Sequence, residues 1–115
     1  MRVTVLEKKA DVGEKLHTTG ILVKEAVEQI GLLNDLPAAL VRRVNGVRLY
    51  APNLQHVDLA APGYYFLATD TPGLMRWLAA RAAQAGAQIA VRSLFRRATR
   101  IGAGHRELGG GAWSD

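Results

Sequence analysis

The sequence predicts a mixed α/β fold, on three observations. Arg2–Glu7 alternates as a short β-strand, with Val3 and Val5 on one face and an acidic residue at its end. A strongly marked helix between Thr71 and Gly86 runs straight into an apolar strand, Ala87–Leu94, which is half of a parallel crossover unit. Between these two lies a run of short alternating segments punctuated by turn residues, which reads as antiparallel β-structure inserted into the crossover.

Each element has a local reason. Gly20–Gly31 carries Val23, Ala26, Val27 and Ile30 at i, i+3, i+4, i+7 spacing, which predicts an amphipathic helix closed by Gly31. Asp35–Leu40 contains Pro37 and predicts a short helical turn. Arg42–Ala51 alternates around Val44, Val47 and Leu49 and reads as one extended strand with a bulge or turn at Gly46. Pro52-Asn53 is a turn signal, and Gln55–Leu59 completes a hairpin. Ala61-Pro62-Gly63 turns the chain into a further extended piece, Tyr64–Ala68. Thr71 can cap the next helix, Pro72 suits its first turn, Leu74, Leu78 and Ala82 form its apolar stripe, and Gly86 ends it. Residues 1–101 are expected to form a single domain, and the glycine-rich 102–115 a disordered tail.

Composition narrows the chemistry. The 115 residues suffice for one small domain, and a hydrophobic content of 49% sets the chain apart from disordered sequences. Cysteine is absent, which excludes disulfides, thiolate metal sites and a cysteine nucleophile. No apolar run reaches the roughly 20 residues of a membrane span, and Glu7, Lys8 and Lys9 interrupt any signal-peptide block. A cytoplasmic setting is expected, with peripheral membrane association as an addition. His17, His56 and His105 lack metal-ligand spacing. The net charge of +5 gathers late, in Arg92, Arg96, Arg97, Arg100 and Arg106. Such a cluster attracts anions, but without interleaved aromatics it argues against a nucleic-acid module and equally describes a solvated strand face.

Two segments carry candidate chemistry. A carboxylate at a strand's carboxyl end, here Glu7, can accept hydrogen bonds from both hydroxyls of a ribose; it can also simply meet solvent. His17-Thr18-Thr19-Gly20 can present hydroxyls and backbone N–H groups to a phosphate or a flavin edge, or can cap the helix that follows through Thr18 or Thr19.

Taken in order, these pieces resemble the geranylgeranyl reductase family, FAD-dependent oxidoreductases of the aromatic-hydroxylase-like FAD-binding fold. The resemblance runs from about Arg2 to Ile101. Val3–Lys8 looks like the family's second strand with its ribose-binding acid, and Val12-Gly13 followed by His17–Leu22 is similar to its cofactor loop. Val47–Pro52 resembles the strand that opens the substrate-side sheet, while Leu74–Ala83 and Gln88–Phe95 resemble the helix and third parallel strand. The fold so implied is a partial FAD-binding, Rossmann-like domain with an inserted β-hairpin. The resemblance implies FAD as cofactor, with Glu7 on the adenosine ribose, Lys8 beside it, His17 and Thr18 close to the cofactor, and the backbone at Phe95 approaching the adenine. It also implies hydride transfer from reduced flavin to an isoprenoid or other lipid-like double bond. His17 stands where the family has arginine, Thr18 where some members have cysteine, and Thr71-Pro72-Gly73 where an arginine-rich helix start is usual. The glycine-rich first turn and the C-terminal half of the family are missing from these residues, so the chain is expected to be a fragment, inactive alone. The contrasting expectation is a small standalone basic α/β module that binds an acidic partner.

Overall fold

The computed structural model describes residues 1–101 and 105–112, without the side chains of 100, 101 and 105–112. In chain order the elements are β1 (Thr4–Leu6), β2 (Ile21–Val23), α1 (Lys24–Gln29), 3-10 turns at Gly31–Asp35 and Ala38–Leu40, β3 (Val41–Val44), β4 (Val47–Tyr50), β5 (His56–Leu59), β6 (Phe66–Thr69), α2 (Thr71–Gln84), β7 (Gln88–Ala90), β8 (Ser93–Ile101) and β9 (His105–Ala112). The fold is mixed α/β with several small sheets, as the sequence predicts. Two compact units divide it: one comprises Met1–Leu16 with Pro72–Asp115, the other His17–Thr71.

The first unit is organised by parallel pairing of β1 with β7, in register Thr4↔Gln88, Val5↔Ile89 and Leu6↔Ala90. Parallel strands cannot be joined by a tight turn, and α2 lies on the return path. Its alanine-rich second half favours helix, and its end is a Schellman motif. Gly86 sits at φ +101°, where a Cβ would be strained; its N–H donates to the Ala83 carbonyl, and the Ala87 N–H reaches back to the Ala82 carbonyl. Leu74 of the predicted stripe is buried at 7% exposure. β8 and β9 then form an antiparallel ladder, with a register shift between Phe95 and Arg97 that leaves Arg96 as an extra residue.

The second unit holds the sheet β2-β6-β3, antiparallel throughout, and the separate hairpin β4-β5. The hairpin register puts Val47, Leu49, Val57 and Leu59 on one face and Arg48, Tyr50, His56 and Asp58 on the other. On the polar face Arg48 makes a bidentate ion pair with Asp58, at 2.7 and 3.1 Å. The Tyr50 and His56 rings lie 5.6 Å apart on that same face.

Four expectations need correction. The helix expected over 20–31 is shortened to Lys24–Gln29, because Ile21-Leu22-Val23 is taken as a strand by β6. Backbone pairing outweighs the helical stripe there, and Gly31 opens a 3-10 turn instead of closing the helix. The single strand expected over 42–51 is two strands in different sheets, broken at Asn45-Gly46. The strand expected over 87–94 is likewise two, divided where Arg92 adopts φ +52°. Within the expected tail, His105–Ala112 pairs with β8 as β9, because a ladder is built from backbone N–H and C=O groups that every residue of this segment carries. Residues 102–104 and 113–115 lie outside the described residues.

Burial is sparse. Among the described residues only Leu33 and Leu74 are buried hydrophobics, while Val5 and Leu6 of β1 and Val3 just before it are all exposed. Parallel sheets ordinarily bury both faces, so β1 carries apolar surface that its own unit does not cover. Leu74→Ala should lower the unfolding free energy by about 2–3 kcal/mol, by loss of burial and creation of a cavity. Leu54→Ala, at a side chain 79% exposed, should change it by less than about 0.5 kcal/mol. Urea denaturation of the two variants checks the contrast.

Candidate functional site

The site begins where the parallel strands end. In an open parallel sheet, ligands bind outside the carboxyl ends of the strands, where backbone groups and loop side chains converge. At that edge the Glu7 N–H donates to the Ala90 carbonyl at 2.9 Å, and the Glu7 carbonyl accepts from the Ser93 N–H at 2.8 Å. The Arg92 N–H donates to the Lys9 carbonyl at 2.9 Å. Glu7–Lys9 and Arg92–Ser93 are thus stitched together as one short double rim.

The Glu7 side chain is half-buried, and its Oε1 accepts the Lys9 N–H at 2.9 Å. That bond orients the carboxylate, while Oε2 accepts no hydrogen bond among the described residues. A carboxylate offers about four lone-pair positions, so an oriented Glu7 retains capacity for two hydroxyl donors. Lys8 is exposed beside it. Phe95 is 52% exposed on β8 and stands opposite Gly110 in the ladder, just before the register shift.

The loop after Glu7 is closed on itself by its other acids. The Glu14 Oε1 accepts the Ala10 N–H at 3.0 Å, and the Lys9 ammonium donates to the Glu14 carbonyl at 2.9 Å. The Asp11 Oδ1 accepts the Gly13 N–H at 2.9 Å, and Arg76 of α2 grips the same carboxylate through Nε and a terminal nitrogen, the shortest contact being 2.7 Å. These contacts hold the Asp11 carboxyl below its ordinary range: first the Arg76 hydrogen bond, then the Gly13 N–H, against the opposing effect of burial. Gly13 is buried, and a Cβ there would meet the Pro72 carbonyl at 2.8 Å and the Arg76 Nε at 2.9 Å, so the close approach requires glycine. Asp11 and Arg76 carry no chemical motif in the sequence, and Arg92 stands there only as one member of the late cationic cluster.

His17 and Thr18 belong to the second unit, whereas Glu7, Lys8 and Phe95 belong to the first. Both are exposed. The Thr18 hydroxyl accepts the Gly20 N–H at 3.4 Å, a local turn contact. Helix capping by Thr18 or Thr19 is ruled out, because α1 begins at Lys24 with Val23 at its N-cap and no side-chain cap. The second unit also has an open apolar cavity of about 300 Å³ beside the aliphatic face of the hairpin, lined by Val44, Gly46, Val47, Leu59, Tyr64 and Phe66. Among the described residues, no group of three His, Asp or Glu side chains is placed to hold a metal ion. No described helix is long and apolar enough to cross a membrane.

No family model matches the sequence, and no curated protein matches it. Its fold is similar to that of a solved structure, a geranylgeranyl bacteriochlorophyll reductase-like protein from Thermoplasma acidophilum, with a TM-score of 0.67 and 22% sequence identity. The similarity covers 84% of this chain and 25% of the other, so the chain spans about a quarter of that protein's length. At this identity the likeness establishes the fold.

The Asp11–Arg76 pair gives a pH signature. A carboxyl whose pKa is depressed on folding contributes stability above its ordinary value of 3.8, and that contribution is lost as pH falls through the lower folded value. Asp11→Asn should therefore lower the urea midpoint at pH 7, and the gap from the unmodified chain should close below about pH 4. Both side chains are largely exposed, so added salt should shrink the gap as well. Urea midpoints across pH 7 to 2, at low and high salt, measure both effects.

Proposed function

We propose that this chain is part of an FAD-dependent oxidoreductase of the geranylgeranyl reductase type and forms the adenosine end of its cofactor site. The observation that carries the reading is the parallel β1–β7 pair with Glu7 oriented at its carboxyl end. The residues present fit that half of the cofactor: a half-buried carboxylate at a strand end, fixed by its own loop, is the acceptor a ribose diol needs. They do not include a strand leading through Gly-x-Gly-x-x-Gly into a helix, which is what the pyrophosphate needs. The fold likeness to a reductase-like protein supports the same reading.

In this reading Glu7 accepts the ribose hydroxyls, Lys8 adds positive charge beside them, and the Phe95 backbone meets the adenine edge. The family resemblance also assigns His17 and Thr18 to the cofactor, and the antiparallel strands and apolar cavity of the second unit suit an isoprenoid or similar lipid-like substrate. When bound, reduced flavin supplies the hydride for a substrate double bond. The chain's own contribution is to bind and orient the adenosine end and to offer an apolar wall; by itself it is inactive.

A fluorescence titration with FAD tests this. The purified chain should bind FAD only weakly, with half-saturation far above the micromolar range, in competition with AMP. Glu7→Gln should weaken that binding by about tenfold, the scale of a hydrogen bond to a charged acceptor. Sub-micromolar, stoichiometric binding would contradict the partial site, and an unchanged affinity in Glu7→Gln would remove Glu7 from it.

A further inference from the structure

Arg92 stands out at the nucleotide edge for its backbone. Among the described residues it is one of three non-glycine residues at positive φ, here +52°, a region that any side chain with a Cβ occupies at a cost and that glycine occupies freely. The turn that carries it is held from both sides: the Arg92 N–H bonds to the Lys9 carbonyl, the Ser93 N–H bonds to the Glu7 carbonyl, and the Ser93 hydroxyl bonds to the Val91 carbonyl at 3.0 Å. A strained position persists where its surroundings over-determine it, and such positions gather at binding sites. The cations at this rim are also not equivalent. The Lys9 ammonium is committed to the Glu14 carbonyl, whereas Arg92 is exposed and makes no ion pair or side-chain hydrogen bond among the described residues. A glycine would satisfy the turn; the arginine adds a planar cation at the end of β7, one strand over from Glu7.

Resting on the adenosine reading above, we infer that Arg92 is a specificity residue for the nucleobase, its guanidinium covering one face of the adenine while Glu7 holds the ribose. A guanidinium is flat and weakly hydrated, and it stacks on an aromatic ring face as an ammonium does not. The adenine of a nucleotide held at Glu7 must extend beyond the strand ends, and the Val91–Ser93 turn is fastened to those ends. The ligand class is therefore an adenine nucleotide read through its base as well as its ribose.

The test measures affinity for AMP and for ribose 5-phosphate on the full chain, by amide chemical shifts, in Arg92→Gly and Arg92→Lys. Arg92→Gly relieves the backbone strain, so its urea midpoint should hold or rise. Its AMP affinity should nevertheless fall by about fivefold or more, the scale of one base stack. Ribose 5-phosphate, which has no base, should bind both forms equally. Arg92→Lys should lose AMP affinity as well, since charge alone does not replace the plane. Unchanged AMP affinity in Arg92→Gly overturns the inference, and so does an equal loss for ribose 5-phosphate, which would assign the guanidinium to the phosphate. If the unmodified chain shows no AMP binding while it remains folded, the adenosine reading itself fails and this inference fails with it.

Discussion

The parallel pairing of β1 with β7 is the constraint on which the rest of the first unit depends. Two parallel strands must be joined by a long crossover, and here the crossover includes α2 and the whole of His17–Thr71. The Schellman ending of α2 at Gly86 sets the chain into β7 in the direction that pairing needs. Because the strands are parallel, their carboxyl ends fall at one edge, and that brings Glu7 to the Val91–Ser93 turn although more than eighty residues separate them in sequence. The loop after Glu7 then uses Asp11 and Glu14 to satisfy its own backbone and to reach α2 through Arg76.

That order of dependence explains how energy is distributed. Ion pairs such as Asp11–Arg76 and Arg48–Asp58 join exposed side chains and stabilise modestly. Hydrophobic burial would normally dominate, yet the described residues bury only Leu33 and Leu74 while β1 and the hairpin expose aliphatic surface. Such surface is the kind a larger sheet and its helices cover. The second unit has the same character. Its hairpin separates a paired polar face from an aliphatic one, and the aliphatic face opens on a cavity.

Much of the architecture was legible in the sequence because its signals are local. Pro72 in the first turn, the alanine run and Gly86 past the end mark α2, although Thr71, expected as its cap, is its first residue, and Pro52-Asn53 between alternating segments specifies the hairpin. What failed was decided by distant partners. Ile21-Leu22-Val23 has a helical stripe but is paired by β6, some forty-five residues away, and no local pattern records that. The break at Asn45-Gly46 falls where the sequence signals a bulge or turn, but its assignment of the flanking strands to different sheets depends on their partners, as does the break at Arg92. Of the candidate site, Glu7 could be read from its place at a strand end. Its orienting bond from Lys9, the Asp11–Arg76 grip and the strained Arg92 could not, because each depends on how the loop closes in space.

The Lys9 amide offers the most direct measurement of the central claim, since its N–H donates to the Glu7 Oε1. With Glu7 as a ribose acceptor, adding ADP-ribose to the labelled chain shifts the amide resonances of Lys9, Arg92 and Ser93 together, and cyclohexane-like apolar additives leave them in place. Shifts confined to the hairpin and its cavity, or none at the Glu7 edge at saturating ADP-ribose, would contradict a nucleotide site there.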